Sequence, residues 1–400
     1  MSARNICLFG AFSLATMLAG IAPNPAWAVI CENAGGANSG TDDDFDTAFP
    51  ENNTACGLDA DASGGPDNGG NTAIGVQANA SGNAGVNTAV GALANANGDT
   101  GRNTAVGNQA QAQGNGSNNT ATGTANASGS GSSNVATGFG ADASGDISNN
   151  VPTGRQSQAM GDNSNNTATG HLAKAVGDDS VNFAGGYNAN ANGNQSNNTA
   201  TGPSANSSGV FSNNAALGNA ANASGGGSSN LASGNISNAS GENSVNTATG
   251  ANSNASGDAS VNTATGASAN ASGANARNIA TGNQADANGA SSNNIATGLQ
   301  ANASGDNADN AAYGTGANAS GDGSNNTATG NGANASGGGG NSTTSNTAMG
   351  NASDARGVDS NNTAAGNAAN AMNAALRVAK NVQLNGGVAW GLAKISPAAG

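Results

Sequence analysis

Along most of the chain, small apolar and polar residues alternate in short runs that glycine cuts off. The stretch from Asn262 to Gly273 shows the pattern: Thr263-Ala264-Thr265 closes on Gly266, and Ala269-Asn270-Ala271 closes on Ser272 and Gly273. Both runs alternate with period two, the signature of a strand. Thr favours strands, whereas Gly, Asn, Asp and Ser mark turns. The unit returns every sixteen residues, with thirteen glycines in unbroken step from Gly138 through Gly154, Gly170, Gly250 and Gly266 to Gly330. A second series follows each by seven residues, from Gly145 to Gly337. The first series extends back through Gly91 and Gly75 to Gly57 and forward through Gly350 to Gly366. Its step breaks three times: one residue is missing before Gly138, two are added before Gly75, and four before Gly350. Two short strands and two turns per unit predict one coil of a parallel β-solenoid, stacked at roughly 4.8 Å and repeated about twenty times. Two glycines per unit, with so much Asn, Ser and Thr, exclude a helix.

Composition sharpens this. Hydrophobic residues make up 36% of the 400 positions, much of it alanine, with 3% aromatic and 8% charged. A conventional core of large side chains is therefore excluded, while strict periodicity and low charge argue against disorder. Alanine holds the middle of the first run in nearly every unit (Ala73, Ala89, Ala105, Ala168), with Pro152 the exception. Its neighbours are mostly Thr. Burying an alanine gains about 1 kcal/mol or less, and fixing one residue's backbone costs roughly 1–2 kcal/mol. The deficit predicts association of chains along the repeats. Ile279, Ile295, Leu217, Tyr313 and Ser233 interrupt the Thr columns. These mostly apolar substitutes predict that the columns face inward, with Thr as filler.

The N-terminus reads as an export signal over residues 1–28. Arg4 precedes a mostly apolar run from Ile6 to Ile21, and Ala26-Trp27-Ala28 supplies the small-x-small cleavage pattern. Residues 29–53 then form a cap or linker, 54–366 the repeats, and 367–400 a C-terminal cap or connector with a candidate helix from Ala371 to Val382. An exported, cell-surface or extracellular location is expected, with no recognisable complete membrane anchor. Cys7 leaves with the signal. Cys31 and Cys56 are candidates for a disulfide stapling the N-terminal segment onto the first repeat in an oxidising compartment.

Candidate chemistry is sparse. The net charge of −14 disfavours nucleic acid as a partner. His171, the single histidine, has no carboxylate pair in a fixed frame, and Asp178 and Asp179 beside it read as a solvated turn. Asp42-Asp43-Asp44 with Asp46 lacks the spacing of a calcium loop. The glycine runs Gly225 to Gly227 and Gly337 to Gly340 have no following lysine to make a phosphate loop. No enzyme activity, cofactor or metal is expected.

The coils resemble the head repeats of YadA-like trimeric autotransporter adhesins. The likeness is carried by Asn71-Thr72-Ala73-Ile74-Gly75 followed by Ala78-Asn79-Ala80-Ser81-Gly82, and by Asn87 to Gly98 and Asn103 to Gly114. It spans Thr54 to Gly366. It implies a left-handed parallel β-roll, a homotrimer about one axis, and adhesion to a host, matrix or abiotic surface. Thr122, Thr169, Thr249 and Thr265 stand where the family prefers Val or Ile, and the repeat is slightly longer. Lys380-Asn381-Val382-Gln383-Leu384 bears only a faint likeness to the family's neck connector. Two other functions fit the repeats. Thr-x-Thr in successive coils (Thr247/Thr249, Thr263/Thr265) is the pattern of an ice-binding face, and a passive surface or biofilm layer needs no ligand.

Overall fold

The computed structural model describes residues 31–33, 53–64, 69–338 and 344–371. They fall into two units divided between Asn198 and Thr199. The first holds β1 (Cys31–Asn33), β2 (Thr54–Cys56) and one further three-residue strand per coil to β10 (Phe183–Gly185). The second runs from β11 (Thr199–Thr201) to β21 (Thr363–Ala365). Within each unit, successive strands pair in parallel; only β1 is antiparallel, against β2. The fold is an all-β parallel β-solenoid of about nineteen coils of about 16 residues. The export signal expected over residues 1–28, and the helix expected from Ala371 to Val382 past its first residue, lie outside the described residues.

Like pairs with like. Thr263 stands beside Ile279, Ala264 beside Ala280 and Thr265 beside Thr281. The second run of each coil is shorter than the pattern predicts: Ala269-Asn270-Ala271 contributes one bridge, at Asn270, instead of a strand. Asn270 donates its backbone N–H forward to Ala285, and Ala271 donates back to Asn254. The chain then turns, and Gly273 donates back to Ser256. The spacing breaks leave the ladder intact. Register holds from Thr54 to Thr72 and from Thr327 to Thr347, across the two long coils. Where one residue is missing, Thr124 alone stands between Gly123 and Ala125 in a shortened turn, and β6 (Thr120–Thr122) still pairs in register with β7 (Val135–Thr137).

The core corrects the sequence expectation about the Thr columns. The side chains that point inward are Ala264, Ala269 and Ala271 of each such coil, all at 0% exposure. Thr263 and Thr265 point outward, and so do their apolar replacements: Ile279 is 40% exposed, Leu217 39% and Tyr313 39%. The interior is wide enough for methyl groups and one amide, so alternation around Ala264 sends both flanking side chains to the outer face. Pro152 occupies an inward alanine position in β8 (Val151–Thr153) and has no N–H to donate. Pairing with β7 is reduced to Thr137 beside Thr153, while all three pairs with β9 (Thr167–Thr169) survive.

The amide inside each coil is an asparagine. Asn246, Asn262 and their counterparts are the largest fully buried side chains. The Nδ2 of Asn262 donates to Ser256 O at 3.2 Å and Gly273 O at 2.8 Å, bridging one coil to the next. Its Oδ1 accepts the backbone N–H of Asn278 at 3.0 Å. Asn246 Oδ1 accepts in the same way from Asn262 N–H and also from Ser260 Oγ at 2.9 Å. The buried amide is thereby satisfied, as it must be to offset its desolvation. A tie of this kind closes each coil across its interior.

Cys56 is disulfide-bonded, and the antiparallel register sets Cys31 opposite it. A chain lacking residues 1–28, denatured without reductant, is expected to take up no iodoacetamide. Labelling of two thiols under those conditions would show that these cysteines do not pair.

Candidate functional site

Four outward arrays recur in each unit, because equivalent residues stand one coil apart. The first is the strand face just described, with Thr249, Thr265, Thr281 and Thr297 exposed in consecutive register. The turn after it holds Gly266, Ala267 and Ser268. There the sequence reading of glycines as turn residues needs one refinement. The αL position (φ near +55°) is held by residues such as Ser268, Leu172 and Gln284. Gly266 stands two residues earlier, at φ +129°.

The second array is an outer amide ladder. Asn238 donates to Asn254, Asn254 to Asn270 and Asn270 to Asp286, at 3.2–3.3 Å. Ser272 closes each step by donating its N–H and Oγ to Asn270 Oδ1. Asp286 interrupts the amides with a half-buried carboxyl, and burial pushes its pKa up, against the lowering effect of the Asn288 N–H and the Asn270 amide. A pKa raised on folding gives stability that is full below the unfolded value and is lost as pH rises through the folded one. Asp286→Asn is therefore expected to stabilise the second unit at neutral pH and to lose that advantage in acid, by thermal melts at both pH values.

The third array is acidic and lies half a coil away from the Ala267 turn. Asp162 Oδ1 accepts the backbone N–H of Asp146 at 2.8 Å, and Asp178 Oδ1 that of Asp162 at 3.0 Å. These carboxylates act as pegs between coils. Asp178 and Asp179 are exposed, and no group of three or more His, Cys, Asp or Glu that could hold a metal ion occurs among the described residues. His171 is half-buried on the other turn, with its ring 5.5 Å from that of Tyr187. That places it in the fourth array, the column of Ala267.

Gly75, Gly91, Gly138, Gly154, Gly170, Gly250 and Gly266 all occupy the equivalent turn position, where a Cβ would meet the backbone of the next coil. They shape the surface without presenting chemistry. Sequence reasoning missed the buried asparagine column. The signal was available: Asn262 has the same parity as Ala264, and asparagine recurs there at every step. It also missed that inward positions outside the asparagine column are selective. Ser253 takes an alanine site and donates to Gly250 O at 2.8 Å, but Ser207, two residues further round its coil, has a buried Oγ with no partner. Ser207→Ala should raise the stability of the second unit by about 1 kcal/mol, read from chemical denaturation; a loss would show that the hydroxyl is satisfied.

No protein-family model matches the chain, and no curated protein matches it.

Proposed function

We propose that the protein is an exported, non-catalytic surface-attachment protein whose copies associate through the Thr263–Thr265 face, three about one axis as in the heads it resembles. The observation that carries this reading is the outward direction of that face. Most positions in its columns are β-branched or larger (Ile74 41%, Val106 39% and Ile279 40% exposed), and a strand face of that kind is stabilised by covering it. Small inward residues keep the coil thin, so little energy comes from within it. Repetition supports the attachment role, because identical side chains at each coil allow many weak contacts to act together. The surface bound is a host, matrix or abiotic one.

Light scattering on the signal-processed protein is expected to give three times the chain mass at micromolar concentration. Ile279→Asp together with Leu217→Asp should reduce that mass toward one chain, since each buries a carboxylate in the contact. A monomeric parent would overturn the association.

One observation favours ice binding as a second reading: the run of exposed, in-register threonines from Thr249 to Thr297. Against it, Phe183 and Tyr313 project from the same columns and Gly185 leaves a gap. No thermal hysteresis is expected from the parent protein, and measurable hysteresis would put this reading first.

A further inference from the structure

The chain is poor in aromatics and has nine Lys and Arg and one His in 400 residues. Four of these scarce side chains nevertheless stand in one column of the first unit. Phe139, Arg155, His171 and Tyr187 occupy the Ala267 position of four consecutive coils. The backbone fixes their order: Gln156 N–H donates to Phe139 O, Leu172 N–H to Arg155 O and Asn188 N–H to His171 O, at 2.8–3.0 Å. The Arg155 guanidinium lies 5.8 Å from the centre of the Phe139 ring, and the His171 and Tyr187 rings are 5.5 Å apart at 54°. Phe139 is 60% exposed and Tyr187 55%. Lys174, three residues beyond His171, is exposed in the adjoining amide column.

A notch flanks the column on one side. The coil that lacks a residue leaves an opening of about 560 Å³ beside Thr124, lined by Gln109, Gln111, Asn126 and Asp142 among others. Amides and a hydroxyl there offer donors and acceptors at close spacing. The acidic pegs Asp146, Asp162 and Asp178 lie half a coil away; Asp142, two coils before Lys174 in the amide column, accepts the Asn126 amide at 3.1 Å.

We propose that the column from Phe139 to Tyr187 binds an acidic polysaccharide, a chain of uronate or sulfated sugars. Exposed rings at Phe139 and Tyr187 offer apolar faces for the C–H face of a pyranose. Arg155 and Lys174 pair with its carboxylate or sulfate groups, Arg155 already held in place by the Phe139 ring. The amides of the notch take up hydroxyls. An unbranched polymer matches a column in which equivalent positions recur at each coil. A neutral glucan lacks the charges that Arg155 and Lys174 would meet, and single-stranded DNA offers few hydroxyls to the Gln109, Gln111 and Asn126 amides of the notch. The inference gives the surface-attachment reading its ligand class and rests on that reading only for its biological use. A protein that binds no polyuronate could still associate and coat a surface.

The test is affinity electrophoresis of the signal-processed protein in gels containing polygalacturonate, dextran or single-stranded DNA. Retardation is expected in polygalacturonate alone. Phe139→Ala with Tyr187→Ala, and separately Arg155→Gln with Lys174→Gln, should each weaken it by about tenfold or more. Phe139, Arg155 and Tyr187 lie on a turn and Lys174 is exposed in the bridged column beside it, and unchanged circular dichroism checks that the coils stay folded. Tyr313→Ala, on the strand face of the second unit, should leave binding as it was. No retardation by polygalacturonate would overturn the proposal. So would equal retardation by dextran, or binding to DNA that survives the aromatic substitutions.

Discussion

Asn246→Ala is expected to destabilise the second unit by about 3–6 kcal/mol, the largest loss available from a single side-chain truncation. The wild-type amide donates to Ser240 O at 3.2 Å and Gly257 O at 2.8 Å, and accepts from Asn262 N–H and Ser260 Oγ. Truncation leaves the buried Asn262 N–H without its partner, leaves Ser240 O with the Gly257 N–H alone at 2.9 Å, and opens a cavity the size of the amide. Ser260 Oγ and Gly257 O still have one another. In a stack each coil touches only its neighbours, so the damage falls on both interfaces of one coil. Hydrogen exchange should show it as fast-exchanging amides from Ser240 to Asn278, with protection retained in distant coils. Asn254→Ala is the control. It removes a half-buried amide from the outer ladder and should cost about 1 kcal/mol. Equal losses at the two positions would mean that the inner tie contributes nothing special.

The coil period, the parallel stacking and the strand Thr263–Thr265 were legible in the sequence because each follows from spacing. Glycine at every sixteenth residue with alternation between glycines admits few other geometries. The direction of the faces was misread for a physical reason. On hydrophobicity the Thr columns point inward, because Ile279 and Leu217 outrank Ala264 on any such scale. Inside this coil, size decides: a methyl fits where an isobutyl group does not, and the larger apolar residues are excluded to the surface. The same logic hid the asparagine column, since an asparagine just before a three-residue strand reads as part of the turn. Its partners, Ser256 O and Gly273 O for Asn262, lie six residues before it and eleven after it, distances that become contacts only once the coil is closed. The strip of Phe139, Arg155, His171 and Tyr187 was invisible for a simpler reason. Residues sixteen apart look isolated until the coils are set side by side.

These facts bear on how so thin a structure holds. Alanine burial alone does not offset the cost of ordering the backbone. The structure adds a hydrogen-bond ladder on every side of the coil and an amide tie through its middle. Backbone and side-chain hydrogen bonds each contribute modestly, about 0.5–1.5 kcal/mol. They therefore leave a stack whose stability depends on the fit between layers. That dependence makes the glycines decisive.

Gly266→Ala should disrupt the stack as strongly as loss of the inner tie, whereas Gly332→Ala should be nearly silent. A Cβ on Gly266 would stand 2.6 Å from Gly282 O and 2.7 Å from its carbonyl carbon, both backbone atoms of the next coil. At φ +129° the backbone is also in a region closed to L side chains. Relief requires the two coils to move apart, and the bonds Gly266 N–H to Thr249 O and Gly282 N–H to Thr265 O run through that point. Strain of about 1–3 kcal/mol for the dihedral adds to the steric overlap, for an expected total of about 4 kcal/mol or more. Gly332 has φ +60° with nothing within 4 Å of its Cβ position. Alanine already adopts that conformation at Ala220 and Ala352, so the substitution there should cost about 1 kcal/mol at most. Thermal melts of the two variants separate a glycine required by close approach of backbones from one that merely tolerates a left-handed turn. If both melt alike, the spacing between coils is looser than these contacts imply, and the sixteen-residue period must be held by something other than glycine.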